Sequence, residues 1–160
     1  MRINKSTYIT SKVAGETLVS YKLARRGWTP ISANSGYANF PNLDLVALKL
    51  GKRITIQVKA AVGEGWVMFA GRAKASGPYF NGKEGEKADF VVCVRLQPEK
   101  DDADCYVMPA DIAENLAQEH VRTHLAKPKR DGTARELNFP VWIKHPVIAR
   151  WHDAWDVLES

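Results

Sequence analysis

The sequence predicts an α/β fold, in which residues 1–160 form one domain. Three observations lead to this prediction. A helix-like segment comes first, strand-like apolar runs follow in two groups, and helix-like segments end the chain. The length is that of one domain. A content of 45% hydrophobic and 26% charged residues is typical of a globular protein and argues against a disordered chain.

The first part of the chain is expected to form a helix, a short strand and a loop. Residues 12–26 have helical periodicity, and the final turn is followed by Gly27, which suits a left-handed helix end. The predicted apolar stripe of this helix consists of Val13, Leu18, Tyr21 and Ala24. Residues 28–33 are expected to form a strand, and the Gly, Asn and Pro residues of 34–42 indicate a loop.

The middle of the chain predicts a β-hairpin from residues 43–49 and 53–60, both rich in Val, Ile and Leu. Residues 61–88 look irregular apart from a short run at 66–70, and the apolar run 90–96 suits a strand buried on both faces. A strand over 105–109 and a helix capped by Asp111 and ending near residue 125 follow. Residues 146–158 are expected to form a last helix that carries Trp151 and Trp155.

The hairpin is the segment with the clearest chemical pattern. Because side chains alternate along a strand, Gln57 and Lys59 share one face. A two-residue Gly51-Lys52 turn would place Asp44 opposite Lys59, on that same face. An odd shift in the register would separate them.

An acid, an amide oxygen and an amine in one place indicate a site for a hard cation. Asp44, Gln57 and the Val58 backbone carbonyl offer the oxygen ligands that Mg²⁺, or Mn²⁺ in its place, prefers. Lys59 would orient a water molecule or stabilise charge on a phosphate. The plain alternative is a cross-strand ion pair between Asp44 and Lys59, with Gln57 as an exposed strand residue.

These residues resemble the PD-(D/E)XK nuclease superfamily. The resemblance lies in Asn42-Leu43-Asp44, twelve further residues and Gln57-Val58-Lys59, preceded by a helix that contains Ala14-Gly15-Glu16. It implies a restriction-endonuclease-like mixed β-sheet flanked by helices, and metal-dependent cleavage of DNA. It also implies that Asp44, Gln57 and Glu16 bind the metal and that Lys59 is the catalytic lysine.

Within that superfamily, the sequence is most similar to the intron-encoded homing endonucleases, because some of them have glutamine at the first position of the second motif. Gln57 stands where most members have an acid, which removes one negative charge from the cation site. Glu16 compensates for this loss if its helix reaches the hairpin. Residues 61–88 depart from the pattern, since the superfamily usually has a crossover helix there.

The resemblance implies double-stranded DNA as the partner, and the basic surplus, which favours a nucleic-acid or other anionic partner, supports this expectation. Lys and Arg number 23 against 18 acidic residues, which gives a net charge of +5. Candidate phosphate contacts lie in two segments and are Lys127, Lys129, Arg130, Arg135, Arg72 and Lys74. Ordinary solvated charge is the alternative.

His120 and His124 form an i, i+4 pair that we assign to a solvated helix face, since no third metal ligand is evident.

The predicted function is a Mg²⁺-dependent DNA endonuclease. The alternatives are a non-catalytic nucleic-acid-binding module of the same fold and a Holliday-junction resolvase. A homodimer or homotetramer is expected, with Trp151 and Trp155 as interface anchors unless they cover the sheet of their own subunit.

Cys93 and Cys105 are expected to be buried thiols. No signal peptide or transmembrane segment is evident, so we expect a cytoplasmic protein.

Overall fold

A five-stranded mixed sheet forms the centre of the fold in the computed structural model, which describes residues 5–33, 43–63, 65–69, 88–97, 102–135 and 141–160. Its strands, in spatial order, are β1 (Thr29–Ser32), β2 (Leu45–Lys49), β3 (Lys52–Val62), β5 (Phe90–Gln97) and β6 (Asp102–Pro109). The β3–β5 pair is parallel and the other pairs are antiparallel. The predicted fold class, a mixed sheet flanked by helices, is confirmed.

Helices and a second, smaller sheet cover the two faces of the central sheet. Helix α1 (Lys5–Ala24) and the 3₁₀ segment Trp155–Glu159 contribute to one core, and helix α2 (Ala110–Leu125) and the 3₁₀ segment His145–Trp151 contribute to the other. The second core also includes residues of β4 (Gly65–Phe69) and β7 (Val141–Lys144), which pair with each other. Strand β5 separates the cores, and its buried residues 91–94 confirm the strand predicted to be covered on both faces.

The apolar stripe predicted for α1 is confirmed at Leu18, which packs partly buried against the α1-side core, and is wrong at its other positions. Val13 and Tyr21 are each 59% exposed, and the buried positions are instead Ser11, Gly15, Val19 and Leu23. These positions recur every four residues, but two of them are a serine and a glycine, which an apolar count overlooks. Gly27 has a φ of +80°, which confirms the predicted left-handed end of the helix.

Gly15 is buried because α1 lies against β3 at this point. A Cβ added to Gly15 would overlap the Cβ of Ala60 and lie 3.6 Å from Cγ1 of Val58. Glycine in the middle of a helix costs roughly 1 kcal/mol relative to alanine. Here it permits an approach of helix to strand that any side chain would prevent.

The hairpin register differs from the prediction by two residues. Lys49 pairs with Lys52, so the turn is Leu50-Gly51 rather than Gly51-Lys52. Both turn residues have positive φ, +47° and +81°, as a tight hairpin turn of the primed type requires. Asp44 is therefore not opposite Lys59. Because the register has shifted by two residues, an even number, it still assigns Asp44, Gln57 and Lys59 to the same face of the hairpin.

The last third of the chain also departs from the prediction. Helix α2 begins after Pro109, and Asp111 lies inside its first turn rather than at the cap. Residues 141–160 form β7 and two 3₁₀ segments instead of one helix. Trp155 is 4% exposed in the α1-side core, and Trp151 packs against the other core. Both tryptophans therefore pack on their own sheet, which was the alternative, and the prediction that they anchor a partner subunit is wrong for the buried Trp155.

The two cysteines are buried free thiols, as predicted. Cys93 contributes to the α2-side core and Cys105 to the α1-side core, so they lie on opposite faces of the sheet. Burial raises the pKa of each thiol to about 12. None of the helices that the structure describes is long and apolar enough to span a membrane.

The Gly15–Ala60 contact predicts that replacing Gly15 with alanine destabilises the protein, although the same substitution usually stabilises a helix. Gly15→Ala should lower the free energy of unfolding by roughly 1–3 kcal/mol, because the new Cβ overpacks the interface. Alanine would otherwise be favoured at a helix interior. Urea denaturation measures the change. Adding Ala60→Gly to Gly15→Ala should restore part of the loss, and a Gly15→Ala protein as stable as wild type would contradict the contact.

Candidate active site

Asp44 lies at the point where β2 begins beside β3. Its backbone is held on both sides, because its carbonyl accepts a hydrogen bond from the Ala33 N–H at 2.9 Å and its own N–H donates to the Ile56 carbonyl at 3.0 Å. Its side chain is buried, and Oδ2 accepts a hydrogen bond from the Val58 N–H at 2.8 Å. The carboxylate therefore lies at the edge of β3, in a fixed position.

Gln57 and Lys59 follow the alternation that the sequence predicted. Val58 packs in the α1-side core, while Gln57 and Lys59 belong to the opposite face of β3. In register with β5, Gln57 pairs with Val91 and Lys59 pairs with Cys93. Gln57 is 3% exposed, so the alternative of an exposed strand residue is wrong.

Lys59 is half-buried, and its pKa is lowered. Burial is the largest cause, and the nearby ammonium of Lys12 acts in the same direction. The negative charge of Asp44 opposes this effect but does not cancel it. Asp44 is thus close enough to Lys59 for their charges to interact, although the two are not directly opposed across the hairpin.

Glu16 reaches this cluster from α1, next to the close approach at Gly15. Its Oε1 is buried and has no hydrogen-bond partner. Burial raises the pKa of Glu16, and the negative charge of Asp44 raises it further, while Lys12 partly offsets both effects. A buried acceptor oxygen without a hydrogen bond is costly, and such a group in a folded protein points to a role in binding.

Lys12 completes the cluster and was not singled out from the sequence. Its Nζ lies 3.6 Å from Oδ1 of Asp44 and 3.5 Å from Oε1 of Glu16. Burial lowers the pKa of Lys12, but the two carboxylates outweigh burial and raise it. The sequence offered one signal for Lys12, its i, i+4 spacing from Glu16 on a helix. Ordinary ion pairs on a helix surface have the same spacing, so this signal did not single the residue out.

The donor set suits a hard divalent cation. Asp44 and Glu16 bring two carboxylates to the Lys12 ammonium group, while Gln57, on the face of β3 away from α1, and the Val58 carbonyl are further oxygen donors of the types that Mg²⁺ and Mn²⁺ accept. The contacts of the described residues do not bring the Gln57 amide to these carboxylates. Within the described ranges, no three His, Cys, Asp or Glu side chains converge on one point. A site here would therefore rely on two carboxylates, on neutral oxygens and on the waters that Mg²⁺ commonly retains.

The basic residues predicted to contact DNA are only partly within the described chain. Lys127, Lys129 and Arg130 are exposed on the loop after α2, and Nε of Arg135 donates a hydrogen bond of 2.8 Å to the Lys127 carbonyl. Arg135 therefore shapes this loop. Arg72 and Lys74 lie outside the described residues.

The histidine pair on α2 carries no evidence of a metal site. An Arg135 guanidinium nitrogen lies 3.4 Å from Nε2 of His124. Burial lowers the pKa of His124, and the charges of Arg135, His120 and Lys127 lower it further. A histidine surrounded by cations is a poor metal ligand.

Comparison with known proteins gives a structural likeness and no likeness in sequence. No protein-family model and no curated protein matches this chain. A similar solved structure is that of a bacterial homing endonuclease, I-Ssp6803I, with a TM-score of 0.54 and 15% sequence identity. The similarity covers 93% of this chain and 90% of that one. At so low an identity, the likeness shows a shared fold that extends over nearly the whole of both chains.

Proposed function

We propose that this protein is a DNA endonuclease of the PD-(D/E)XK type that hydrolyses phosphodiester bonds with Mg²⁺, or with Mn²⁺ in its place. One observation carries the proposal. The carboxylates of Asp44 and Glu16 both pair with the Lys12 ammonium group, the charge of Asp44 also reaches Lys59, and the buried Glu16 Oε1 has no hydrogen bond besides that ion pair. The likeness in fold to a bacterial homing endonuclease and the net charge of +5 support it.

Each residue of the cluster has a distinct task in this mechanism. Asp44, Glu16, Gln57 and the Val58 carbonyl would hold the ion, which supplies Lewis-acid polarisation of the phosphate and acidifies a water molecule. The Val58 N–H binds Oδ2 of Asp44 and leaves Oδ1 facing the Lys12 ammonium group, so Oδ1 would be the oxygen available to an ion. Gln57 contributes an oxygen without charge.

Glu16 supplies the charge that Gln57 lacks. A glutamine at this position leaves Asp44 as the one acid of the two strand motifs, which weakens attraction for a divalent cation. Glu16 reaches the same point from α1 and restores a second carboxylate. The raised pKa of Glu16 reflects the cost of burying it near Asp44, and a cation between them would remove that cost.

Lys59 acts on the phosphate and the attacking water. Its half-buried ammonium lies within the electrostatic reach of Asp44, and it would stabilise the charge that develops on the phosphate. Burial strengthens this interaction, because fewer water molecules screen it. An alanine here would remove a stabilising charge without changing the residues that hold the ion.

Affinity for double-stranded DNA is expected to come from other parts of the surface. We propose Lys127, Lys129, Arg130 and Arg135 as phosphate contacts, together with Arg72 and Lys74. A homodimer or homotetramer stays a prediction, because one such cluster cuts one strand at a time and two-fold assemblies are the commonest oligomers. Its interface must use residues other than the buried Trp155.

Substitutions in the cluster should separate cleavage from binding. Asp44→Ala and Lys59→Ala should each slow Mg²⁺-dependent nicking of supercoiled plasmid by at least about a hundredfold, because each removes a group used in the chemical step. Binding to duplex DNA, measured by fluorescence anisotropy, should change by no more than a few-fold. Asp102→Ala and Lys144→Ala remove exposed charges of the same types and serve as controls.

Three outcomes would contradict this function in different ways. Wild-type nicking rates in either cluster variant would show that the active-site assignment is wrong. A wild-type protein that binds duplex DNA but nicks it in neither Mg²⁺ nor Mn²⁺ would be a non-catalytic binding module. Cleavage of four-way junctions but not of duplex DNA would identify a junction resolvase.

The loop after α2 should contribute to the salt dependence of DNA binding. Replacing Lys127, Lys129 and Arg130 with glutamine should weaken binding and reduce the slope of log K against log salt by about 2–3, since each phosphate contact contributes roughly 0.9. Titrations between low and moderate salt measure the slope. A control with three other exposed basic residues replaced should stay near wild type; these are Arg25, Arg53 and Lys144. An unchanged slope in the loop variant would assign its charges to ordinary solvation.

A further inference from the structure

The ammonium group of Lys12 lies between the two carboxylates that the proposed function assigns to a metal ion. It is 3.6 Å from Oδ1 of Asp44 and 3.5 Å from Oε1 of Glu16. Both distances are those of ion pairs rather than of short hydrogen bonds. Lys12 thus places a positive charge where the two acids face each other.

The charges of the cluster balance while Lys12 is in this position. Asp44 and Glu16 carry two negative charges, and Lys12 and Lys59 carry two positive ones. A divalent cation between the carboxylates would face a neutral cluster with an ammonium group already at its centre. Like charges at such separations repel strongly in a partly buried site.

We propose that Lys12 is a positioning residue that occupies the cation position in the metal-free protein and is displaced when the metal binds. This inference rests on the proposed function. Lys12 holds Asp44 and Glu16 together against their mutual repulsion, and it also lowers the affinity of the site for metal. The site is therefore assembled before the metal arrives, at the cost of a competing charge.

The side chain of Lys12 is suited to displacement. It is 46% exposed, whereas the side chains of Glu16 and Asp44 are 19% and 12% exposed. A lysine has a flexible four-carbon stem and a strongly hydrated ammonium group. The lysine can therefore turn into solvent while the two acids remain fixed, Asp44 by its hydrogen bond from Val58 and Glu16 by the adjacent contact at Gly15.

Lys12→Met tests this role, because methionine removes the charge but keeps a long, flexible side chain. Binding of Mn²⁺ to the DNA-free protein is measured by the loss of the free-ion electron paramagnetic resonance signal. The dissociation constant should fall by about tenfold, since the metal no longer displaces two partly exposed ion pairs. The metal-free variant should melt at a lower temperature than wild type, and saturating Mn²⁺ should remove the difference.

Three further variants make the result specific. Lys12→Arg keeps the charge, so the dissociation constant should not fall below the wild-type value, and a guanidinium that binds both carboxylates more tightly would raise it. Lys22→Met removes the same charge from the same helix, about 15 Å further along its axis, and should change little. Asp44→Asn removes a proposed ligand and should abolish specific Mn²⁺ binding. Lys12→Gln repeats the test if the methionine variant does not fold.

The outcomes distinguish this proposal from the proposed function. Wild-type or weaker Mn²⁺ affinity in Lys12→Met, with Asp44-dependent binding in wild type, would overturn the role of Lys12 and leave the metal site intact. An equal gain in Mn²⁺ affinity in Lys22→Met would show that the effect comes from the net charge of the protein. That result would also overturn the proposed role of Lys12. If neither wild type nor Lys12→Met bound Mn²⁺, the metal site and the proposed function would fall together.

Discussion

The close contact between α1 and β3 at Gly15 and Ala60 is the constraint on which the site depends. No side chain fits at Gly15, and the next residue along the helix is Glu16. The helix can therefore deliver a carboxylate to the edge of β3, where Asp44 is held by the Val58 N–H. A looser helix would leave Asp44 without the second carboxylate that Glu16 brings, and so with less negative charge for a divalent cation.

Burial gives the cluster its electrostatic character. Burial raises the pKa of Glu16, and the nearby carboxylate of Asp44 raises it further. Lys12 partly offsets both effects, and the two carboxylates in turn raise the pKa of Lys12. Lys59 experiences the opposite balance, because burial and Lys12 lower its pKa more than Asp44 raises it. The two lysines therefore differ in the direction of their pKa shifts, which the carboxylates raise at Lys12 and burial lowers at Lys59.

The sequence predicted the features that depend on local periodicity. The α/β class, the hairpin and the shared face of Gln57 and Lys59 followed from two-residue alternation, which survived a register error of two. That error arose because Leu50, rather than Lys52, adopts the positive φ of the turn. Features that depend on packing in space were missed: the buried positions of α1, the burial of Trp155, and the placement of Lys12.

A crystal structure with Mn²⁺ and duplex DNA tests the central claim most directly, because anomalous scattering locates the ion independently of the protein atoms. The claim predicts an anomalous peak bonded to carboxylate oxygens of Asp44 and Glu16 at about 2.1 Å, the distance usual for a small hard dication. It also predicts that Lys12 has left the cation position and that a phosphate lies beside Lys59. A structure with DNA bound but with Lys12 still between the two carboxylates, and with no ion there, would contradict it.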